Sequence, residues 1–379
     1  KNQLNPITDN DTKFCLLSDP TLRVSIPQHT TRIDSINSIP GTDTAHIKAL
    51  QKVKIYGSIL RPDTSFWENY HGDIIVKIFD VEKNVTFIDF GYTFNFRRDG
   101  GTIFIGRTVV QNGRWSIEFI VPRDISYNTG HGKLIAYFSN STSEGSGYTT
   151  RFKLNGIDSS AAIDTTGPEI TVYLDNRNFR TGDLINQNSK IIADFYDFSG
   201  INLTGTIGHK IEAILDNNEN NKIDLTPYYN STSGYQNGTL EHPIESISEG
   251  KHNLKLKAWD TYNNFNITSV DFTVMSNSEL KVENVYNYPN PMSDNASFLF
   301  QHNFDMPLTT NIKIYTVSGR LIKELTKTNI TDKFVKIDWD GKDADGDFIA
   351  NGTYIYKIII KTEDGNFSKN QTGKLAKLK

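Results

Sequence analysis

Any chemistry in this sequence would have to come from a small set of residues. Cys15 is the single cysteine, so it is the one thiol that can act as a nucleophile. A thiol nucleophile needs a base beside it and a lowered pKa. Cys15 instead lies in the apolar run Phe14-Cys15-Leu16-Leu17, with no histidine within a dozen residues, and reads as a buried, inert thiol. The eight histidines, at 29, 46, 71, 131, 209, 242, 252 and 302, stand singly. None has the spacing that brings two imidazoles to one zinc. Two acidic loops carry the oxygen chemistry of calcium sites. Asp216, Asn218, Asn220 and Asp224 alternate along the chain as in the first half of an EF-type loop. That loop lacks the central Gly, and Pro227 stands where the bidentate acid is needed. Asp343, Asp345 and Asp347 alternate around Gly346, an arrangement that can wrap a hard cation, although Asp-Gly is also a common hairpin turn. Each loop therefore reads either as a calcium site or as a plain turn, and no other cofactor is expected. No Gly-rich phosphate loop or serine-hydrolase elbow occurs. Paired glycosidase carboxylates have no sequence spacing to look for.

The elements that must position such residues are strands. Ile74, Val76 and Ile78 alternate with Asp73, Ile75 and Lys77; Trp115, Ile117, Phe119 and Val121 alternate with Ser116, Glu118 and Ile120; Leu254, Leu256 and Ala258 alternate with Lys255, Lys257 and Trp259. This period of two is that of half-buried strands. No amphipathic helix longer than about ten residues is evident. Turns are rich in Gly, Asn, Asp and Pro, the residues that supply tight-turn backbone angles. The 379 residues exceed one sandwich of roughly 100 residues and predict three or four.

Boundaries follow from composition. The polar Gly-Pro stretch Asp164 to Ile170 precedes a new strand, a second boundary lies near 276–278, and a softer one falls between Pro27 and Pro40. The expected division is a lead-in at 1–40, then β-sandwiches at 41–158, 164–275 and 279–379. Within the lead-in, Phe14 to Leu17 is a continuous apolar run, as in a strand covered on both faces of an α/β sheet. The fold class is thus all-β, with tandem Ig-like sandwiches preceded by a short remnant of an α/β domain.

The formal net charge is −4, with signs mixed along the chain, which argues against nucleic acid as partner because phosphate binding needs a concentrated basic face. No stretch approaches the ~20 apolar residues of a membrane helix. Lys1 to Asn10 lacks the pattern of a signal peptide, so the chain is either cytoplasmic or preceded by a further segment. Sequons such as Asn84-Val-Thr and Asn140-Ser-Thr are those that an Asn- and Thr-rich chain makes by chance.

Three stretches carry a resemblance. Leu16-Leu17-Ser18-Asp19-Pro20-Thr21-Leu22-Arg23 resembles the segment closing the peptidase domain of gingipain-like cysteine peptidases, with Ser18 in place of the usual Gly. Asp164 to Ile170, Gly208-His209, Ala213 to Asp216, Tyr228-Tyr229 and Leu256 to Asn263 are similar to the module that follows in the type IX secretion system sortases. The end of the chain is similar to the C-terminal signal domain of type IX cargo, a seven-stranded sandwich that also resembles the flagellar-hook-cap Ig-like module. Its matching residues are Tyr288-Pro289-Asn290-Pro291, Gly319-Arg320, Trp339-Asp340-Gly341 and Asn351-Gly352-Thr353-Tyr354.

The resemblance implies the non-catalytic C-terminal part of a cell-surface sortase of a Bacteroidetes-type bacterium. The parent would be a cysteine peptidase that cleaves C-terminal signals from secreted cargo and helps attach cargo to the surface. Its His–Cys pair would lie in an upstream domain absent from this chain. The middle modules would be a stalk, and the last one an export and docking module for the outer-membrane shuttle β-barrel. His209 is read as structural. Tyr288, Pro289, Asn290, Pro291, Gly319, Trp339, Gly341, Gly352 and Tyr354 would specify that module or its docking surface. The alternative is a surface adhesin or carbohydrate-binding protein exported by the same system, with Tyr228, Tyr229 and Tyr235 as its aromatic cluster.

Overall fold

The computed structural model describes residues 27–126, 129–205, 208–275, 280–304 and 306–378. Cys15, the apolar lead-in strand and the boundary at 276–278 lie outside the described residues. The described chain is almost wholly β, with one short 3-10 turn at Thr226–Tyr228. It forms tandem sandwiches around three separate hydrophobic cores.

The first core is wrapped mainly by one eight-stranded sheet. Across it run Thr102–Val110, Gly72–Phe79, Lys133–Ser139, Glu144–Thr149, His29–Ile36, Lys52–Leu60 and Arg114–Ile120, with Ile39–Pro40 paired beside His29–Ile36. Alternation puts Leu134, Ala136 and Phe138 fully inside. The end strands are joined at Asn112-Gly113, both at positive φ, the conformation of a tight hairpin turn. This folds the sheet over, so that Phe104 stacks on Phe119 with centroids 4.4 Å apart. A small sheet of Gly130–His131, Phe152–Ile157 and Ala45–Ala49 closes the other side.

The expected lead-in of 1–40 ends too late. His29–Ile36 lies between Glu144–Thr149 and Lys52–Leu60 and puts Ile33 and Ile36 into the first core. The stretch from Pro27 to Pro40 reads as linker because few of its residues are apolar. Thr31 is buried instead by hydrogen bonding: its Oγ1 donates to the Ser58 carbonyl (3.1 Å) and accepts from Trp115 Nε1 (2.8 Å), which meets the requirement that buried polar groups be paired.

The second core lies between a four-stranded sheet (Glu169–Leu174, Ser189–Tyr196, Asn237–Ile244, Tyr229–Ser233) and a five-stranded one (Leu184–Asn186, Phe265–Met275, Gly250–Trp259, Glu212–Leu215, Ile223–Asp224). The third is a seven-stranded sandwich. Val282–Tyr288, Ala296–His302 and Phe334–Trp339 face Leu321–Ile330, Leu308–Thr316, Gly352–Thr362 and Ser368–Lys377. Its core holds Phe298, Phe300, Ile312, Ile314, Ile358 and Ile360, all fully buried. Each such side chain contributes on the order of 1.5–3 kcal/mol by leaving water.

Candidate functional site

The residues that carry the signal-domain resemblance are built into the third sandwich. Trp339 fills its core and donates from Nε1 to the Lys342 carbonyl (2.9 Å). Tyr354 is buried, and its hydroxyl donates to the Ala350 carbonyl (2.8 Å). Gly319, Gly341 and Gly352 all have positive φ, at 90°, 71° and 154°. At Gly341 a Cβ would also meet the Asp294 carbonyl oxygen at 2.1 Å, so glycine is required there twice over. Asn290 staples the last strand. Its Oδ1 accepts from the Ala376 N–H (2.9 Å) and its Nδ2 donates to the Lys374 carbonyl (3.0 Å). Met292 continues the pairing, donating to the Ala376 carbonyl (2.8 Å) and accepting from the Leu378 N–H (2.9 Å). Tyr288 has the opposite character, with 70% of its surface exposed next to Pro289.

In the first acidic loop, the Asp216 carboxylate faces His252 Nδ1 (2.7 Å) and accepts from the Asn253 N–H (3.0 Å), while Asp224 pairs with Lys210 (2.8 Å). Asn218 Oδ1 accepts from the Asn220 N–H (3.2 Å). In the second, Asp343 Oδ1 accepts from the N–H groups of Asp345 (3.1 Å) and Asp347 (3.0 Å), and Gly346 takes φ 93°. Both loops thus make the hydrogen bonds of tight turns. The tyrosines of the alternative reading do not form one platform. Tyr229 is buried in the second core, Tyr228 packs on His242, and Tyr235 packs against the first core under Lys52.

What the sequence did not point to is the joint between the first two sandwiches. Asp124, just after Arg114–Ile120, accepts from Asn263 Nδ2 at Oδ1 (2.7 Å) and from Asn202 Nδ2 at Oδ2 (3.1 Å). Oδ2 also faces His209 Nδ1, whose ring lies 4.3 Å from that of Trp259. Burial opposes the Asp124 charge. The donors from His209, Asn263 and Asn202 outweigh it, and the carboxyl is held below the usual Asp range. The Arg123 N–H donates to the Thr261 carbonyl (2.8 Å) beside this network. His209 thus takes part in an inter-sandwich contact.

On the linker side of the joint sit three carboxylates. Asp164 lies in the linker, Asp197 follows Ser189–Tyr196 and Asp260 follows Gly250–Trp259. One oxygen from each lies within 4.8 Å of the other two. Asp260 is fully buried and Asp197 is 5% exposed. Burial pushes the Asp260 carboxyl up to about 6; hydrogen bonds from Asn264 oppose this, and the charges of Asp197 and Asp164 add to it. Burial also raises Asp197. The signal in the sequence was a recurrence: Asp164-Thr-Thr-Gly, Asp197-Phe-Ser-Gly and Asp260-Thr-Tyr-Asn each open a turn with an aspartate.

A second feature absent from the sequence reading is the hairpin Lys83–Asp89 and Tyr92–Arg98, a two-stranded sheet apart from the others. The pairs Val85–Phe96, Phe87–Phe94 and Asp89–Tyr92 share one face, and Phe90 at the turn is 94% exposed. Its signal was an aromatic at every second position, Tyr92, Phe94 and Phe96. At the next joint, Gln301 Nε2 of the third sandwich donates to the buried Asp183 of the second (2.6 Å). A cavity of about 410 Å³ opens beside it between 174–185 and 332–334. No helix among the described residues is long and apolar enough to cross a membrane.

The fold and these joints define a tandem β-sandwich protein. No family model matches the chain, and no curated protein matches it. Among solved structures it is similar to dimeric latent PorU from Porphyromonas gingivalis, at 26% identity over 95% of this chain and 35% of that one, with a TM-score of 0.43. It thus spans about a third of the PorU chain. It is also similar to the tetra-tandem repeat in the extending region of a large adhesion protein (14% identity, 92% and 74% of the two chains, TM-score 0.20). A third likeness is to a β-glucuronidase from Parabacteroides merdae (9% identity, 55% and 25%, TM-score 0.28).

Proposed function

We propose that this chain is the non-catalytic C-terminal part of a type IX secretion sortase. In this reading the first two sandwiches are a stalk, and the third is an export and docking module at the outer-membrane surface, with the shuttle β-barrel as its partner. Peptidase chemistry and recognition of secreted cargo would belong to the parent protein. The supporting observation is the third sandwich: it has the seven strands the resemblance implies, and its motif residues specify turns and core while leaving Tyr288 outside. A type IX-competent bacterium carrying the full chain tests this. Surface-exposed protein, measured by protease shaving, should disappear when the secretion route is inactivated and fall when Tyr288 is replaced by Ala. Unchanged surface levels without the route would overturn the reading.

The adhesin reading keeps one observation in its favour, the exposed aromatic stripe of Lys83–Arg98. Aromatic faces can carry sugars or apolar partners. A glycan array on which Phe87→Ser and Phe94→Ser abolish binding would support it; a blank array would remove it.

A further inference from the structure

Asp164, Asp197 and Asp260 form the one group of this kind found among the described residues, three acids whose oxygens converge within 4.8 Å. No Lys, Arg or His among the described residues forms an ion pair with any of them. Buried carboxylates are tolerated when they are paired, hydrogen-bonded or bound to a metal. Hydrogen bonds account for only part of this set. Asp260 Oδ1 accepts from the N–H groups of Tyr262 (2.9 Å) and Asn264 (2.7 Å), and Oδ2 from Asn264 Nδ2 (2.7 Å). Asp197 uses Oδ1 for the Ser199 N–H, the Ser199 hydroxyl and the Gly200 N–H. Its Oδ2 has no donor, although the residue is 95% buried (5% exposed). Asp164 Oδ1 accepts from the Thr166 N–H (3.0 Å), while its Oδ2 is enclosed and accepts from nothing. The arrangement therefore leaves two carboxylate oxygens without donors on two different segments, and the one on Asp164 is fully enclosed.

We propose that these three aspartates bind one calcium ion, which clamps the linker to the end of the second sandwich. The donor set is all oxygen, with no imidazole or thiolate, which selects a hard cation over zinc. Calcium takes oxygens at 2.3–2.6 Å, so two ligands of one ion can stand up to about 5 Å apart; magnesium demands a tighter octahedron. The surroundings hold the ligands in place before any ion arrives. Asn264 Nδ2 donates both to the Asp164 carbonyl (3.1 Å) and to Asp260 Oδ2. Gly167 lets the linker lie against Phe265, where a Cβ would meet the carbonyl oxygen at 2.4 Å.

The ion would act on the joint as well as on the linker. The loop that begins at Asp260 also carries Thr261, whose carbonyl accepts from the first sandwich at Arg123, and Asn263, which donates to Asp124. Fixing Asp260 against Asp164 therefore fixes both the covalent and the hydrogen-bonded connections between the first two sandwiches. This proposal is independent of the sortase reading.

The test uses the full chain after EDTA treatment, titrated calorimetrically with calcium chloride. One site is expected, with a Kd between about 10⁻⁵ and 10⁻³ M. Saturating calcium should raise Tm by about 5 °C through mass action. Asp164→Asn, on the part-exposed linker, should weaken binding at least tenfold while circular dichroism stays unchanged. Asp197→Asn should do the same. Asp216→Asn and Asp343→Asn, in the other acidic loops, should leave binding intact, and magnesium chloride should bind more weakly. Cleavage after Glu169 by a glutamyl endopeptidase should slow with calcium in the wild type and not in Asp164→Asn. No heat up to about 10 mM calcium, roughly tenfold above the weakest extracellular Kd of about 10⁻³ M, would overturn the site. So would full binding in both Asp164→Asn and Asp197→Asn, or loss of binding in Asp216→Asn or Asp343→Asn. Calcium binding without any effect on cleavage after Glu169 would overturn the clamp.

Discussion

Replacing Asp124 with Ala should loosen the joint between the first two sandwiches more than its partly exposed position implies. The carboxylate serves three side-chain donors, on Asn202, His209 and Asn263, and its own side chain is only 16% exposed. A hydrogen bond to a charged group contributes about 1.5–3 kcal/mol. The three are not additive, because Asn202 Nδ2 can fall back on Asn263 Oδ1, already 3.1 Å away. The His209 contact is partly wet, with the imidazole 24% exposed. A loss of about 3 kcal/mol follows, or roughly 6–12 °C in the calorimetric transition of the first two sandwiches. The pH dependence adds an independent check. The folded Asp124 carboxyl lies below its unfolded value, so its contribution is fully present above the unfolded pKa of about 3.9 and is lost as pH falls through the folded pKa. Wild type should therefore lose stability relative to Asp124→Asn as pH drops below about 4. The assay is differential scanning calorimetry of both proteins from pH 7 to 3. A change of less than about 0.5 kcal/mol in Asp124→Ala, the ordinary range of surface substitutions, or parallel pH profiles would refute this account of the joint.

Other substitutions probe the third sandwich and the hairpin. Phe298→Ala should cost about 3–5 kcal/mol as a large core truncation, because Phe298 is fully buried against Tyr356 and Trp339; denaturant titration should show the third sandwich unfolding first. Gly341→Ala should cost at least about 2 kcal/mol from positive φ and overlap with Asp294 combined, whereas Gly346→Ala, with open space around it, should cost about 1 kcal/mol in the same assay. Asn290→Ala should cost about 2 kcal/mol and speed amide exchange at Ala376, whose N–H it holds. Phe87→Ser with Phe94→Ser should change stability by less than about 1 kcal/mol, since both rings are half exposed, while lowering binding of an apolar fluorescent dye.

Much of the fold was legible because its cause is local. Alternation at Ile74, Val76 and Ile78, or at Leu254, Leu256 and Ala258, marks an inward face whatever the partner strand, and all six residues are buried. Asp-Gly and Asn-Gly turns likewise announce themselves through the backbone angles they permit. The strand His29–Ile36 was not legible, because its inward face includes a buried Thr31 that the Ser58 carbonyl and the distant Trp115 together make acceptable. Nor was the tyrosine arrangement legible, because Tyr228 closes the 3-10 turn Thr226–Tyr228 and Tyr229 opens the strand after it, one half-exposed and one buried.

The chemistry-bearing residues divide along the same line. The sequence by itself determined that the chain makes several sandwiches, and it showed the two acidic loops whose oxygen-bearing side chains are regularly spaced. Only the tertiary structure brought Asp164, Asp197 and Asp260 together, and only it set Asp124 against His209 and Asn263 from the neighbouring sandwich. The reason is that a sandwich gathers the loops at one end from strands far apart in the chain. Ligands that meet there have no spacing to read, and their convergence is fixed by strand order and by the contact between modules.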